Sequence, residues 1–139
     1  MHPSSDDTLN EMFIGNRRDS YIRPHKHPGK SEAFHVVHGA VDIVVFDDDG
    51  GIARIVPLGN VDGSAAGRAF YYRMSSAFFH TLVIRSDILV VHEITNGPFV
   101  AGGTLFGAFS PDEADTQAAA RYQQQLLERV ATFTGSCTS

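Results

Sequence analysis

The sequence predicts an antiparallel all-β unit, closed into a sandwich or barrel and followed by one C-terminal helix. From Tyr21 to about Ile94 the chain is a series of short runs rich in Val, Ile, Phe and Tyr. Each run ends in a turn-forming cluster: "HPGKS", "HGA", "DDDGG", "LGNVDGSAAGR", "SD" or "TNGP". The runs are about 5 to 8 residues long, the usual length of strands in sandwiches and barrels. Near the C-terminus the period changes, and Tyr122, Leu126, Val130 and Phe133 recur at helical spacing.

Taken in order, "YIRPHKHP" reads as a strand ending in the "PGKS" turn. The two longer apolar runs, "AFHVVHGAVDIVVF" and "FFHTLVIRSDILVVHEI", read as hairpins. "DDDGG" at 47–51 reads as a tight hairpin turn, because it lacks the alternating acidic positions and distal glutamate of a calcium loop. The helix start is marked by Ser110 as N-cap, Pro111 at the first helical position and Glu113 three residues after the cap. The expected organisation is therefore a β-barrel over residues 1–109 and a helix over 110–134, packed on the barrel or on a partner subunit.

Composition narrows the function. The chain has 139 residues, enough for a single core, and 42% of them are hydrophobic. No apolar run reaches the roughly 18 residues of a membrane span, and "MHPSSDDTLN" lacks the basic start and apolar stretch of a secretory signal, so a cytoplasmic protein is expected. Net charge is −5 and the eleven basic residues are scattered, which argues against nucleic acid as a partner. The single cysteine, Cys137, sits in a polar tail, excluding an intrachain disulfide and a thiolate metal cluster. Metal chemistry here must use His, Asp and Glu.

Those residues converge in "RPHKHPGKSE". Strand alternation puts Tyr21, Arg23, His25 and His27 on one face and Ile22 and Lys26 on the other. After the turn, Glu32 returns on an adjacent strand, where its carboxylate can join the two imidazoles. His80, opening "HTLVI" with apolar neighbours, is the expected fourth ligand. Three neutral imidazoles and one carboxylate suit one divalent transition metal, Fe, Mn, Ni or Zn, with positions open for water or a small-molecule ligand.

Other side chains have two readings each. Arg23 either holds an anionic group inside the barrel or pairs with an acidic neighbour at its rim. Tyr21 and Tyr72 either line the mouth or pack. His92 either supports the metal ligands or bonds to a backbone carbonyl. His35 falls opposite Glu32, and His38 lies at the turn before Gly39.

The segment "HKHPGKSEAFHVVHG" has the form H-x-H-x4-E-x6-G, closing on Gly39, and resembles the first motif of the cupins, small β-barrel metalloproteins. Of the second cupin motif this chain keeps the histidine, His80. The longer stretches "YIRPHKHPGKSEAFHVVHGAVDIVVFDDDG", "FYYRMSSAFFHTLVIRSDILVVHEITNGPF" and "FGAFSPDE" resemble the WbuC family of cupin-fold metalloproteins, often associated with bacterial O-antigen and polysaccharide clusters. The resemblance covers most of residues 10–113. It implies a double-stranded β-helix, or jelly-roll barrel, holding a metal at His25, His27, Glu32 and His80.

Fold alone does not determine the reaction. The leading expectation is a metal-dependent enzyme acting on a small polar molecule, such as a sugar or polysaccharide precursor. The alternatives are a non-catalytic binding or sensing module, whose metal would be closed off by a fifth group such as His92, and, more remotely, a metal-free nucleotide-sugar isomerase or epimerase using a histidine base and a tyrosine acid. A homodimer is expected through an edge strand or outer sheet face, with Phe13, Phe46 and the helix supplying apolar contact.

Overall fold

The structure, a computed structural model, describes residues 4–62 and 66–136, with helix side chains described to Phe133. Cys137 and part of the "VDGSAAGR" loop lie outside the described residues. Nine strands run as β1 (Leu9–Arg17), β2 (His25–Lys26), β3 (Glu32–His38), β4 (Ala40–Phe46), β5 (Ile52–Gly59), β6 (Tyr71–Met74), β7 (Phe79–Ile84), β8 (Ile88–Asn96) and β9 (Leu105–Phe106), followed by helix α1 (Thr116–Ser136). They form two antiparallel sheets, ordered β1-β8-β3-β6 and β5-β4-β7-β2-β9. This is the jelly-roll barrel with a C-terminal helix that the sequence predicts.

The two long apolar runs are not hairpins. β3 pairs with β6 and β8, whereas β4 pairs with β5 and β7. Each run therefore crosses from one sheet to the other, at Gly39 and at Ser86–Asp87. The crossings lean on one another: the Ala40 amide donates to Ser86 Oγ at 3.0 Å and the Arg85 amide to Ala40 O at 2.8 Å. Gly39 has φ +91°, and a Cβ there would lie 2.3 Å from Ser86 Oγ and 2.4 Å from Ile88 O. Only glycine suits this corner, which gives the motif-closing Gly39 its structural role.

Alternation on β4 serves two cores. Val41, Ile43 and Val45 face inward and pack with Phe34, Val36, Leu58, Met74, Ile84, Leu89 and Val91 between the sheets. Val44 and Phe46 face outward with Phe79 and Val83, against Leu126 and Val130 of α1. β4 is thus buried on both faces, which explains its near-continuous apolar sequence. Phe46, 1% exposed, is committed to the helix and is not available to a dimer contact.

The helix starts at Thr116, five residues after the expected first position at Pro111. Asp115 caps it, its carboxylate accepting from the Ala118 amide at 2.9 Å. The residues read as a capping box do other work. Ser110 Oγ donates to Gly107 O, Glu113 Oε1 accepts from the Arg23 amide, and Pro111 O accepts from the Tyr21 hydroxyl. The "DDDGG" segment is the expected tight turn, with Asp47 Oδ1 accepting from the Asp49 and Gly51 amides as β4 turns into β5. Among the described residues no helix is long and apolar enough to cross a membrane.

Candidate metal centre

Register brings the histidines together. His25 on β2 is directly opposite His80 on β7, so both project from the same face of one sheet, with ring centroids 4.6 Å apart. His27 follows β2, its ring 5.2 Å from that of His25. Glu32 opens β3 in the opposing sheet and points across the barrel, 2% exposed. One ligand atom each from His25, His27 and Glu32 fits within 4.8 Å of the others. His80 lies beside that set, its Nε2 3.6 Å from Glu32 Oε2.

Backbone carbonyls orient the rings. His25 Nδ1 is 2.8 Å from Arg23 O and His80 Nδ1 is 3.0 Å from Phe78 O. A carbonyl only accepts, so each Nδ1 carries the proton and each neutral ring presents the Nε2 lone pair to the cluster. His27 Nδ1 is 3.2 Å from Thr104 Oγ1, leaving its Nε2 3.5 Å from Glu32 Oε1. Burial lowers the pKa of His25, His27 and His80, to about 3 for His80, so these rings are neutral near pH 7.

Glu32 meets these lone pairs with more acceptors. Its Oε1 is buried without a hydrogen-bond partner, and burial pushes its carboxyl up to about 8, with the Glu93 charge adding to the rise. An ionised carboxylate facing imidazole lone pairs is unfavourable unless a cation or proton joins them. The donor set, the ring orientation and the orphaned oxygen all fit a divalent transition metal.

The remaining candidates sit elsewhere. Tyr21 and Arg23 face the helix end, not the barrel interior: Tyr21 packs edge-on against Tyr122, and Arg23 pairs with Asp112 at 2.8 Å while stacking over Phe106. Residues 20–24 are not strand, and Pro24 interrupts the alternation that would have aligned them with His25. Arg23 thus takes its rim reading, paired with an acidic neighbour. Tyr72 is directly opposite Phe34 and packs against the inner core. His92 lies on the outer face of the first sheet, against Phe13 and 3.5 Å from Glu11.

Sequence reasoning missed the wall beside His27. A cavity of about 170 Å³ is lined there by residues that include Asn10, Lys30, Glu93, Thr95 and Thr104. Asn10, Thr95 and Glu32 occupy one cross-strand row on β1, β8 and β3. β1 precedes the region read as β-structure, which is why Asn10 went unnoticed. Glu93 is pushed up to about 6 by burial.

Residues 1–58 match a family described as a domain of unknown function (DUF6016). No curated protein matches the chain in sequence. Among solved structures the chain is similar to protein SO0799 from Shewanella oneidensis, with 14% identity and a TM-score of 0.62 over 92% of this chain and 77% of that one. It is also similar to NovW, a 4-keto-6-deoxy sugar epimerase from Streptomyces spheroides, with 17% identity and a TM-score of 0.56 over 70% of this chain and 50% of that one. A 3,4-ketoisomerase from Helicobacter canadensis matches at 10% identity and a TM-score of 0.56, over 87% and 79% of the two chains. These likenesses agree with the two-sheet topology: the chain folds as a cupin barrel.

Proposed function

We propose that this cupin is a divalent-metal-dependent enzyme of WbuC-like type acting on a small polar molecule, a sugar or polysaccharide precursor. The observation that carries the reading is the buried, unpartnered Glu32 Oε1 facing imidazoles whose Nε2 lone pairs point the same way. His25, His27, Glu32 and His80 would hold the ion, which supplies Lewis-acid or, as iron, redox chemistry when bound. The chain's own contribution is to fix the tautomers through Arg23 O and Phe78 O and to keep the rings neutral by burial. Beside His27, the cavity would position the substrate.

Two features favour catalysis over a closed binding module. His92, the group that would have completed the coordination, lies on the outer sheet face, and the cavity borders the cluster at His27. The metal-free reading draws on the structural likeness to a sugar epimerase and a ketoisomerase. It needs a tyrosine acid beside a histidine base, whereas Tyr21 donates to Pro111 O and is pushed up to about 12 by burial. Metal content by mass spectrometry on untagged protein tests the proposal. Close to one ion per chain in wild type, lost in His25→Ala and His80→Ala, is the expected result; a wild type that cannot be loaded with Fe, Mn, Ni or Zn overturns it.

The working unit is a homodimer in the cytoplasm. α1 covers the outer face of the second sheet, but the outer face of the first leaves Leu9, Phe13, Val37, Tyr71 and Ile88 exposed, with Phe70 at its margin. Four strands of up to nine residues give a footprint on the order of 600 Å², approaching the roughly 800 Å² per partner of a stable interface. A second copy of this chain fits that face. Light scattering should show a dimer for wild type and a monomer for Phe13→Glu, with metal content unchanged; a monomeric wild type refutes the pairing.

A further inference from the structure

The cavity beside His27 has a chemical character of its own. Asn10 is 2% exposed, yet its Oδ1 has no hydrogen-bond partner and the residue lines the cavity. Glu93, Thr95 and Thr104 add a carboxyl and two hydroxyls to a wall whose larger part, from Met12, Phe99 and Val100 among others, is apolar and suits the C–H face of a sugar ring. A ligand filling this space must bring hydrogen-bond donors to satisfy the acceptors, because an unmet buried polar group is costly. Hydroxyl groups do this well, since each both donates and accepts.

Charge restricts the ligand further. Lys30 is the one cation among the lining residues, and its Nζ spends one of its three N–H donors on Pro98 O at 2.7 Å. The acidic side chains are Glu93 here and Glu32 in the adjoining row. A phosphate would meet the Glu93 carboxyl with Lys30 as its one cationic partner and no arginine in the lining to hold it in bidentate fashion. The volume of about 170 Å³ holds roughly ten non-hydrogen atoms if each takes a little over half the ~30 Å³ of a water molecule. That is the size of one monosaccharide without a nucleotide.

We propose that this cavity binds a small uncharged polyol, an unphosphorylated monosaccharide or cyclitol, with hydroxyls bonded to Asn10, Glu93, Thr95 and Thr104 and one edge set against His27. The assignment deepens the metal-enzyme reading and rests on it for the fate of the bound molecule, but not for the binding itself. It separates this chain from the structurally similar 4-keto-6-deoxy sugar epimerase and 3,4-ketoisomerase.

Saturation-transfer NMR and calorimetry on the full chain, metal-loaded and chelator-treated, provide the test. The uncharged probes are D-glucose, D-xylose and myo-inositol; glucose 6-phosphate and UDP-glucose are the anionic ones. At least one uncharged probe should bind, more tightly than either anionic probe. Asn10→Ala and Glu93→Gln should each weaken it about tenfold, the loss of one good hydrogen bond. Thr104→Ala, at a half-buried loop position, gives a third reading should Asn10→Ala fold poorly.

Tighter binding of an anionic probe overturns the proposal, as does an uncharged probe indifferent to all three substitutions. Absence of polyol binding in protein that holds its metal also overturns it, and leaves the metal centre standing. Asn10-dependent polyol binding in protein that takes up no metal supports the cavity assignment and refutes the metal-enzyme reading.

Discussion

Glu32→Gln should stabilise the metal-free protein while abolishing its metal. The Glu32 carboxyl, ordinarily at 4.5, is raised to about 8 by burial in the metal-free fold. The folded state therefore keeps a proton that the unfolded chain releases above about pH 4.5. Below that value both states are protonated and ionisation contributes nothing; between 4.5 and 8 stability falls as pH rises. Above about 8 the cost is complete, on the order of 3 kcal/mol at ~1.4 kcal/mol per pKa unit once relaxation is allowed for. Glutamine removes that cost and can donate its amide to an imidazole Nε2. Urea denaturation of chelator-treated protein should show the variant ahead by several kcal/mol at pH 8.5 and level with wild type near pH 4.5. With Zn or Fe added the order should reverse, because only wild type binds the ion. A variant less stable than metal-free wild type at pH 8.5 would show that the carboxylate is satisfied by the protein alone.

Phe46→Ala should cost about 3–5 kcal/mol, among the largest effects of any single truncation here. Phe46 is 1% exposed, 5.3 Å from the Phe109 ring, and belongs with Val44, Phe79 and Val83 to the layer that receives Leu126 and Val130. Leu126→Ala removes the helix side of the same layer and should cost about 2–4 kcal/mol. Because both changes loosen helix docking, the double variant should lose less than the sum. Metal stoichiometry should survive in Phe46→Ala, since the histidine cluster projects from the opposite face of that sheet. A loss under about 1 kcal/mol in Phe46→Ala would place α1 elsewhere.

Much of this was readable in residue order. The spacing of His25, His27 and Glu32 marks a candidate ligand set because strand alternation and a short turn are local, and local geometry depends on nearby residues. The apolar stripe of α1 is legible for the same reason: Tyr122, Leu126 and Val130 share a face whatever the helix meets. The turn at Asp47–Gly51 follows from its own side-chain and backbone chemistry.

What went unread was non-local. β1 carries Asn10, Met12 and Ile14 on one face and Leu9, Glu11 and Phe13 on the other, so polar and apolar residues mix on both and no alternation stands out. The runs through Gly39 and Ser86 look like hairpins, and become crossings only because β8 claims β3 while β7 claims β4. Pro24 breaks the strand at the point where the pattern would have carried Tyr21 and Arg23 into the barrel. The sequence by itself determined which side chains could serve as ligands and that they lie on or beside β-strands, since strand periodicity spans only a few bonds. Tertiary structure alone set His80 opposite His25, swung Glu32 across from the other sheet and placed Asn10 beside them, because strand register and sheet membership are decided by burying one shared core.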